Sequence, residues 1–195
     1  AQRARVARLD AFARAAIAEQ RTFQAMMDQS DFAALALEHQ QAIGRRAVLG
    51  RYMIVYRTDA NPAYTDLSIS PSDRDIGSLL SRRPDLDNYA EWGFGRYVTP
   101  RAWLSTWSGL SSQASVLDRV SAVTVPTLVL NYTGDNGLYP DEAEEIYQVS
   151  PSRDKKLALV EGDHFGFPLA HKSGKGGREE SLKIITSWLQ ERFAV

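Results

Sequence analysis

The spacing of hydrophobic residues changes character along the chain. Up to about residue 40, Val6, Leu9, Ala13, Ala16 and Ile17 are spaced to share one helical face among Ala, Arg, Gln and Glu, which predicts one long amphipathic helix or two. Residues 51–56 form a short apolar run that suits a strand or a helical turn. Residues 58–75 carry Pro62, Pro71 and several Ser, Thr, Asp and Asn, the chemistry of a loop. Pro84 and the Gly93-Phe94-Gly95 stretch keep the next segment irregular. Thr99 and Pro100 then pair an N-cap with a proline at the first helical position, starting a helix through Trp103 and Trp107.

Beyond residue 120 the pattern alternates. Residues 123–130 are a strand-length apolar run, 141–148 are helical, 156–160 read as a strand and 179–193 as an amphipathic helix. In that last helix Leu182, Ile185, Leu189 and Phe193 repeat at three- and four-residue intervals, which predicts one face packed on a sheet. Strand, helix, strand, helix is the signature of an α/β protein with parallel strands. The chain is therefore divided into a largely helical segment, 1–120, and a sheet-forming segment, 121–195. Parallel strands buried on both faces read as continuous apolar runs, and both runs have that character. Two such strands fall short of the usual four to six. The missing neighbours are expected from another polypeptide or from residues beyond these 195, and the chain alone is expected to be unstable.

Composition narrows the partners more than the fold. With 44% hydrophobic and 24% charged residues the chain is an ordinary globular one, long enough for a sizeable core. Acidic and basic residues nearly cancel, 24 against 23, so net charge attracts neither nucleic acid nor an anionic membrane, and a small-molecule substrate is favoured. Arg3, Arg5, Arg8, Arg14 and Arg21 are interrupted by acids and alanines and read as a solvated helix face. The absence of cysteine excludes disulfides, thiolate metal sites and a cysteine nucleophile, and fits a cytoplasmic or an exported protein. No apolar run approaches the roughly 20 residues that span a bilayer. The basic start lacks the apolar stretch of a signal peptide, which makes the cytoplasm the default expectation.

Candidate chemistry sits at the ends of the two strands, where α/β sheets collect functional groups. Asp135 follows the first in Thr-Gly-Asp-Asn-Gly, and His164 follows the second in Gly162-Asp163-His164-Phe165-Gly166. One crossover unit separates them, so the two side chains are expected at neighbouring strand ends. A carboxylate on one imidazole nitrogen fixes the tautomer and stabilises the imidazolium, leaving the other nitrogen to take a proton from a nucleophile or water. Asp163 and Asp141 are rivals for the acid. Asp163 is expected to point away from its neighbour His164, and Asp141 reads as a first-turn helix residue. His39 and His171 read as structural. The three histidines have no ligand spacing, so neither metal nor cofactor is expected.

These residues are where the sequence resembles the α/β-hydrolase superfamily. The Pro126-Thr-Leu-Val-Leu130 run, Gly134 with Asp135, Pro140 with Glu142 to Glu145, Val160 to Phe167 and the final helix look like the superfamily's acid-bearing strand, its following helix and its histidine-bearing strand. Residues 99–109 are similar to cap-to-core segments of bacterial members. The resemblance implies a partial α/β-hydrolase fold, the C-terminal strands and helices of a mostly parallel sheet preceded by a helical cap. It implies Asp135 as triad acid and His164 as base of a serine esterase or lactonase acting on a small, apolar ester. An Asp-nucleophile dehalogenase or epoxide hydrolase, or a non-catalytic binding module, are the alternatives. The superfamily's nucleophile sits in Gly-x-Ser-x-Gly on a strained turn, and no such motif occurs here. Ser108, Ser111 and Ser112 are the closest serine cluster and lack its strand and paired glycines. The nucleophile is thus expected in an N-terminal half that lies outside this chain. Trp92, Phe94, Tyr97, Trp103 and Trp107 either pack the cap or line a pocket for an apolar acyl or alcohol group.

Overall fold

A computed structural model describes residues 1–57, 59–93 and 95–193. The protein is mixed α/β, with 44% helix and 11% strand, the strand fraction including a small parallel sheet. It divides into two compact units, Ala1–Thr58 with Glu91–Ala114, and Asp59–Ala90 with Ser115–Val195. The 59–90 segment, which hydrophobic pattern alone groups with the helical part, joins the unit that holds the parallel sheet. Its ties are polar ones that leave no periodicity in the sequence: the Asp73 N–H donates to the Thr133 carbonyl at 2.8 Å, and Asn136 Nδ2 donates to the Ser78 carbonyl at 2.9 Å.

In the first unit, α1 (Gln2–Met27) packs on α2 (Leu37–Val48), so the expected helical stretch is two helices and the second runs further than its pattern suggested. The 51–56 run resolves as a strand, β1 (Met53–Ile54), antiparallel to β2 (Tyr97–Val98). Thr99 caps the following turn, its hydroxyl oxygen accepting from the Ala102 N–H at 3.2 Å, and Pro100 occupies the first helical position. The helix continues through Trp103–Trp107 as a π-type turn. Ala13, Met53, Val55, Val98 and Trp103 form the core, with Val6 and Leu9 packed against it. The buried Asp10 carboxylate accepts from the Trp103 indole N–H at 2.7 Å, satisfying both groups where neither reaches water. Among the expected aromatic cluster, Trp103 is therefore a core residue, Trp92, Tyr97 and Trp107 are exposed, and Phe94 lies outside the described residues.

In the second unit, α3 (Val116–Val120) leads into β3 (Thr127–Gly134), α4 (Pro140–Val149), β4 (Lys155–Asp163) and α5 (Arg178–Gln190). Both strands end further along than their apolar runs predict, because the polar residues Asn131 and Thr133 and the sequence Glu161-Gly162-Asp163 still belong to the ladder. The strands pair in parallel, Thr127 opposite Lys155 through Tyr132 opposite Val160, then Gly134 opposite Asp163. The extra residue in β4 between those last pairs is a bulge at its carboxyl end. Lys155 closes the crossover, its ammonium donating to the Tyr147 and Ser150 carbonyls at 2.7 Å each, where a cation complements the end of α4. Gly177 starts α5 hard against β4: a Cβ there would stand 2.4 Å from Val160 Cγ1 and 2.5 Å from the Glu161 carbonyl oxygen.

The sheet is poorly covered. Apart from Asn131, Gly134, Val160 and Gly162, no residue of β3 or β4 is buried, whereas parallel strands ordinarily are buried on both faces. The face of α5 that packs is Ser181 and Trp188, not the expected Leu182, Ile185, Leu189 and Phe193, which stay 65%, 39%, 40% and 50% exposed. The periodicity predicts a packed face there, but among the described residues these four stay largely uncovered, Phe193 meeting the Trp188 ring edge-on at 6.5 Å. No helix among the described residues is long and apolar enough to cross a membrane.

Candidate active site

Asp135 and His164 meet at the carboxyl ends of β3 and β4, as their positions in the sequence require. His164 Nδ1 lies 2.9 Å from Asp135 Oδ1. The carboxylate is buried and the imidazole one-third exposed, with side-chain accessibilities of 7% and 33%. One partner is thus fixed in the protein while the other keeps access to solvent. Asp135 is locked by more than the histidine: Oδ1 also accepts from the Gly137 and Leu138 backbone N–H groups at 2.6 and 3.0 Å, and its own N–H donates to the Tyr132 carbonyl at 3.1 Å. The Asp-Asn-Gly turn therefore serves both readings of Asp135 at once, shaping the backbone and holding the carboxylate.

The turn carrying His164 is equally determined. Asp163 Oδ1 accepts from the Phe165 and Phe167 N–H groups at 2.9 and 2.8 Å, while the Asp163 carbonyl accepts from the Gly166 N–H at 2.8 Å. Asp163 is thus occupied in building the turn that projects its neighbour and is no rival for the acid. Gly166 completes it at φ +74°, a left-handed conformation that suits glycine, and a Cβ there would stand 2.6 Å from the Tyr132 hydroxyl. The Phe165 ring meets the imidazole edge-on at 4.9 Å between centroids. Asp141 accepts from the Glu142 N–H at 2.9 Å in the first turn of α4, which settles it as a helix-end residue.

The remaining candidates are engaged in other local contacts or lie on the surface. Ser108 is fully buried and its hydroxyl oxygen accepts from the Leu110 and Ser111 N–H groups, both at 3.2 Å. Ser111 and Ser112 donate to the Leu104 and Ser105 carbonyls at 3.1 and 3.0 Å. All three belong to the first unit and are engaged in its turns. His39 is exposed on α2, and His171 lies 3.4 Å from Asp75 on the surface. No group of three His, Asp or Glu with metal-binding geometry occurs among the described residues.

Sequence reasoning missed the segment that runs past the end of β3. Besides the Asp73–Thr133 backbone bond and the bond from the side chain of Asn136, next to Asp135, to the Ser78 carbonyl, the Lys172 ammonium contacts Asp73 at 2.5 Å. That contact holds the Asp73 carboxyl below the usual carboxylate range. The segment is anchored by buried Arg74, whose guanidinium donates to the Ser70 carbonyl, to the Ala63 and Ile69 carbonyls at 3.1 and 2.6 Å, and lies over the Tyr139 ring at 4.5 Å. Burial pushes the Tyr139 phenol up to about 12. A conspicuous Asp-Arg-Asp triplet in a loop was the only available signal, and it names no partner. Comparison with protein-family models, curated proteins and solved structures finds no match to this chain.

Proposed function

We propose that the chain supplies the acid and the base of a hydrolase of the serine esterase or lactonase type, related to the α/β-hydrolase superfamily, that cleaves a small, apolar ester. The observation that carries this reading is the 2.9 Å contact between a part-exposed imidazole and a buried carboxylate, also held by two backbone N–H groups, at adjacent parallel strand ends. Asp135 accepts the Nδ1 proton and so leaves Nε2 as the basic nitrogen, for which no hydrogen-bond partner exists among the described residues. Nε2 takes the proton of a serine hydroxyl as that oxygen attacks the ester carbonyl, and Asp135 stabilises the imidazolium. The proton then passes to the departing alkoxide, and a second cycle with water as the attacking group releases the acid.

The serine and the oxyanion-binding groups belong to an N-terminal half of the enzyme, carried by residues beyond these 195 or by a separate chain. The half-exposed strands of the parallel sheet and the uncovered apolar face of α5 support a partner of that kind. Hydrolysis of short-chain p-nitrophenyl esters by the full-length protein tests the reading. Activity that falls by about 10³-fold or more in His164→Ala, without loss of folding, agrees with it. Activity unchanged in that variant refutes it. Halide release or diol formation in place of ester cleavage would assign an Asp nucleophile instead.

A further inference from the structure

The first unit holds a cavity of about 320 Å³ that the candidate active site does not use. Its walls come from the middle of α1, from the end of α2 with the turn after it, and from residues 99–101. Ala16, Ile17, Leu49 and Pro100 make one side apolar, with Ala16 and Pro100 buried. Around it stand Arg45, Arg46, Arg51 and Arg101, and the single carboxylate in the lining, Glu19, is taken by Arg51 at 2.6 Å. Four arginines against one glutamate leave an excess of three positive charges. Arg46 lies over the Phe23 ring at 5.0 Å, while Arg45 and Arg101 have no carboxylate partner among the described residues. None of the exposed aromatics of this unit lines the cavity.

Like charges in excess of their counter-charges repel one another, and a bound anion reduces that cost. Guanidinium groups match the planar or tetrahedral oxygens of carboxylate and phosphate, donating two hydrogen bonds at once. The apolar wall adds what a free inorganic ion cannot use, and the volume falls at the small end of the range for small-molecule sites, roughly 300–1,000 Å³. We propose that this cavity binds a small amphiphilic anion, with a carboxylate or phosphate monoester head among Arg45, Arg51 and Arg101 and an aliphatic body against Ile17, Leu49 and Pro100. The site is independent of Asp135 and His164, so its occupancy does not depend on the hydrolase reading.

Calorimetric titration of the full-length protein with octanoate, octyl phosphate, 1-octanol and inorganic phosphate tests this. Octanoate or octyl phosphate is expected to bind saturably at one site, and which of them binds more tightly identifies the head group. Octanol and inorganic phosphate are each expected to bind at least about tenfold more weakly, since each lacks one half of the recognition. The double variant Arg45→Gln, Arg101→Gln removes two exposed side chains without carboxylate partners, so its melting is expected to match the parent, and it should lose about tenfold or more in affinity. Arg153→Gln, an exposed arginine of the other unit, and His164→Ala should bind as the parent does. Absence of saturable binding up to millimolar concentrations overturns the proposal. So does octanol binding as tightly as octanoate, an unaffected double variant, or affinity lost in His164→Ala.

Discussion

Asp135 offers two perturbations that separate its backbone role from its charge. Oδ1 accepts three hydrogen bonds, from Gly137 N at 2.6 Å, Leu138 N at 3.0 Å and His164 Nδ1 at 2.9 Å. Asp135→Ala removes all three and strands two backbone donors in the turn before α4, each worth roughly 1 kcal/mol or more when left unpaired in a part-buried site. The expected loss is about 2–4 kcal/mol. Asp135→Asn keeps a carbonyl oxygen that the same two amides hold in place, so the turn survives and the loss is about 1 kcal/mol, from the missing charge. Because those amides keep the oxygen rather than the NH2 group toward His164, the Nδ1–H tautomer is also retained. Ester hydrolysis in Asp135→Asn should then fall by about 10²-fold, less than the roughly 10⁴-fold that follows when an amide reverses the tautomer. Denaturant midpoints for the two variants, with the His164 ring resonances in a nitrogen-proton correlation spectrum, read both effects. Equal destabilisation by Ala and Asn would refute the claim that Oδ1 holds the turn by geometry, and an Asn variant with the opposite tautomer would refute the oxygen placement.

Three further outcomes follow from the packing around this site. Gly166→Ala forces a side chain into a left-handed position against the Tyr132 hydroxyl and should cost about 1–3 kcal/mol while lowering kcat, whereas parent-like stability would mean the turn relaxes freely. Tyr139 holds its proton past the pH at which an unfolded tyrosine ionises, so folding stability should decline from about pH 10 toward 12, by up to roughly 2–3 kcal/mol. Its hydroxyl has no hydrogen-bond partner among the described residues, so Tyr139→Phe should match the parent at pH 7 and show a smaller alkaline decline; an equal decline sinks the assignment. The depressed Asp73 carboxyl contributes stability that is complete above the usual carboxylate range of about pH 4 and fades as pH falls below it. Asp73→Asn should therefore flatten the acid side of the stability profile, by well under 1 kcal/mol given its exposure, and identical acid slopes would discount the Lys172 contact.

The parallel sheet and the placement of Asp135 and His164 were legible because each is encoded locally. An apolar run of strand length, a turn sequence and a glycine-flanked histidine suffice to predict adjacent strand ends. The rest was less accessible for physical reasons. Residues 59–90 are tied to the strands and α4 through the Asp73–Thr133 backbone bond, the Asn136 side-chain bond to Ser78 and the buried Arg74 over Tyr139, and such polar ties produce no hydrophobic period. The strand ends extended into Asn131, Thr133 and Glu161 because ladder pairing continues regardless of side-chain polarity. The repeat of Leu182, Ile185 and Leu189 predicts the packed face of α5, but the helix docks through Ser181 and Trp188, where β4 allows close approach at Gly177. A pattern reports which residues favour burial; it does not say which neighbour, in this chain or another, does the burying.

In the proposed mechanism His164, oriented by Asp135, activates a serine that lies outside these 195 residues. Fluorophosphonate labelling of the protein as its source organism makes it, followed by mapping of the labelled peptide, tests it most directly. The expected label falls on a serine within Gly-x-Ser-x-Gly, in a peptide absent from residues 1–195, and is abolished by His164→Ala. A label on Ser108, Ser111 or Ser112, or labelling that persists in His164→Ala, would contradict it.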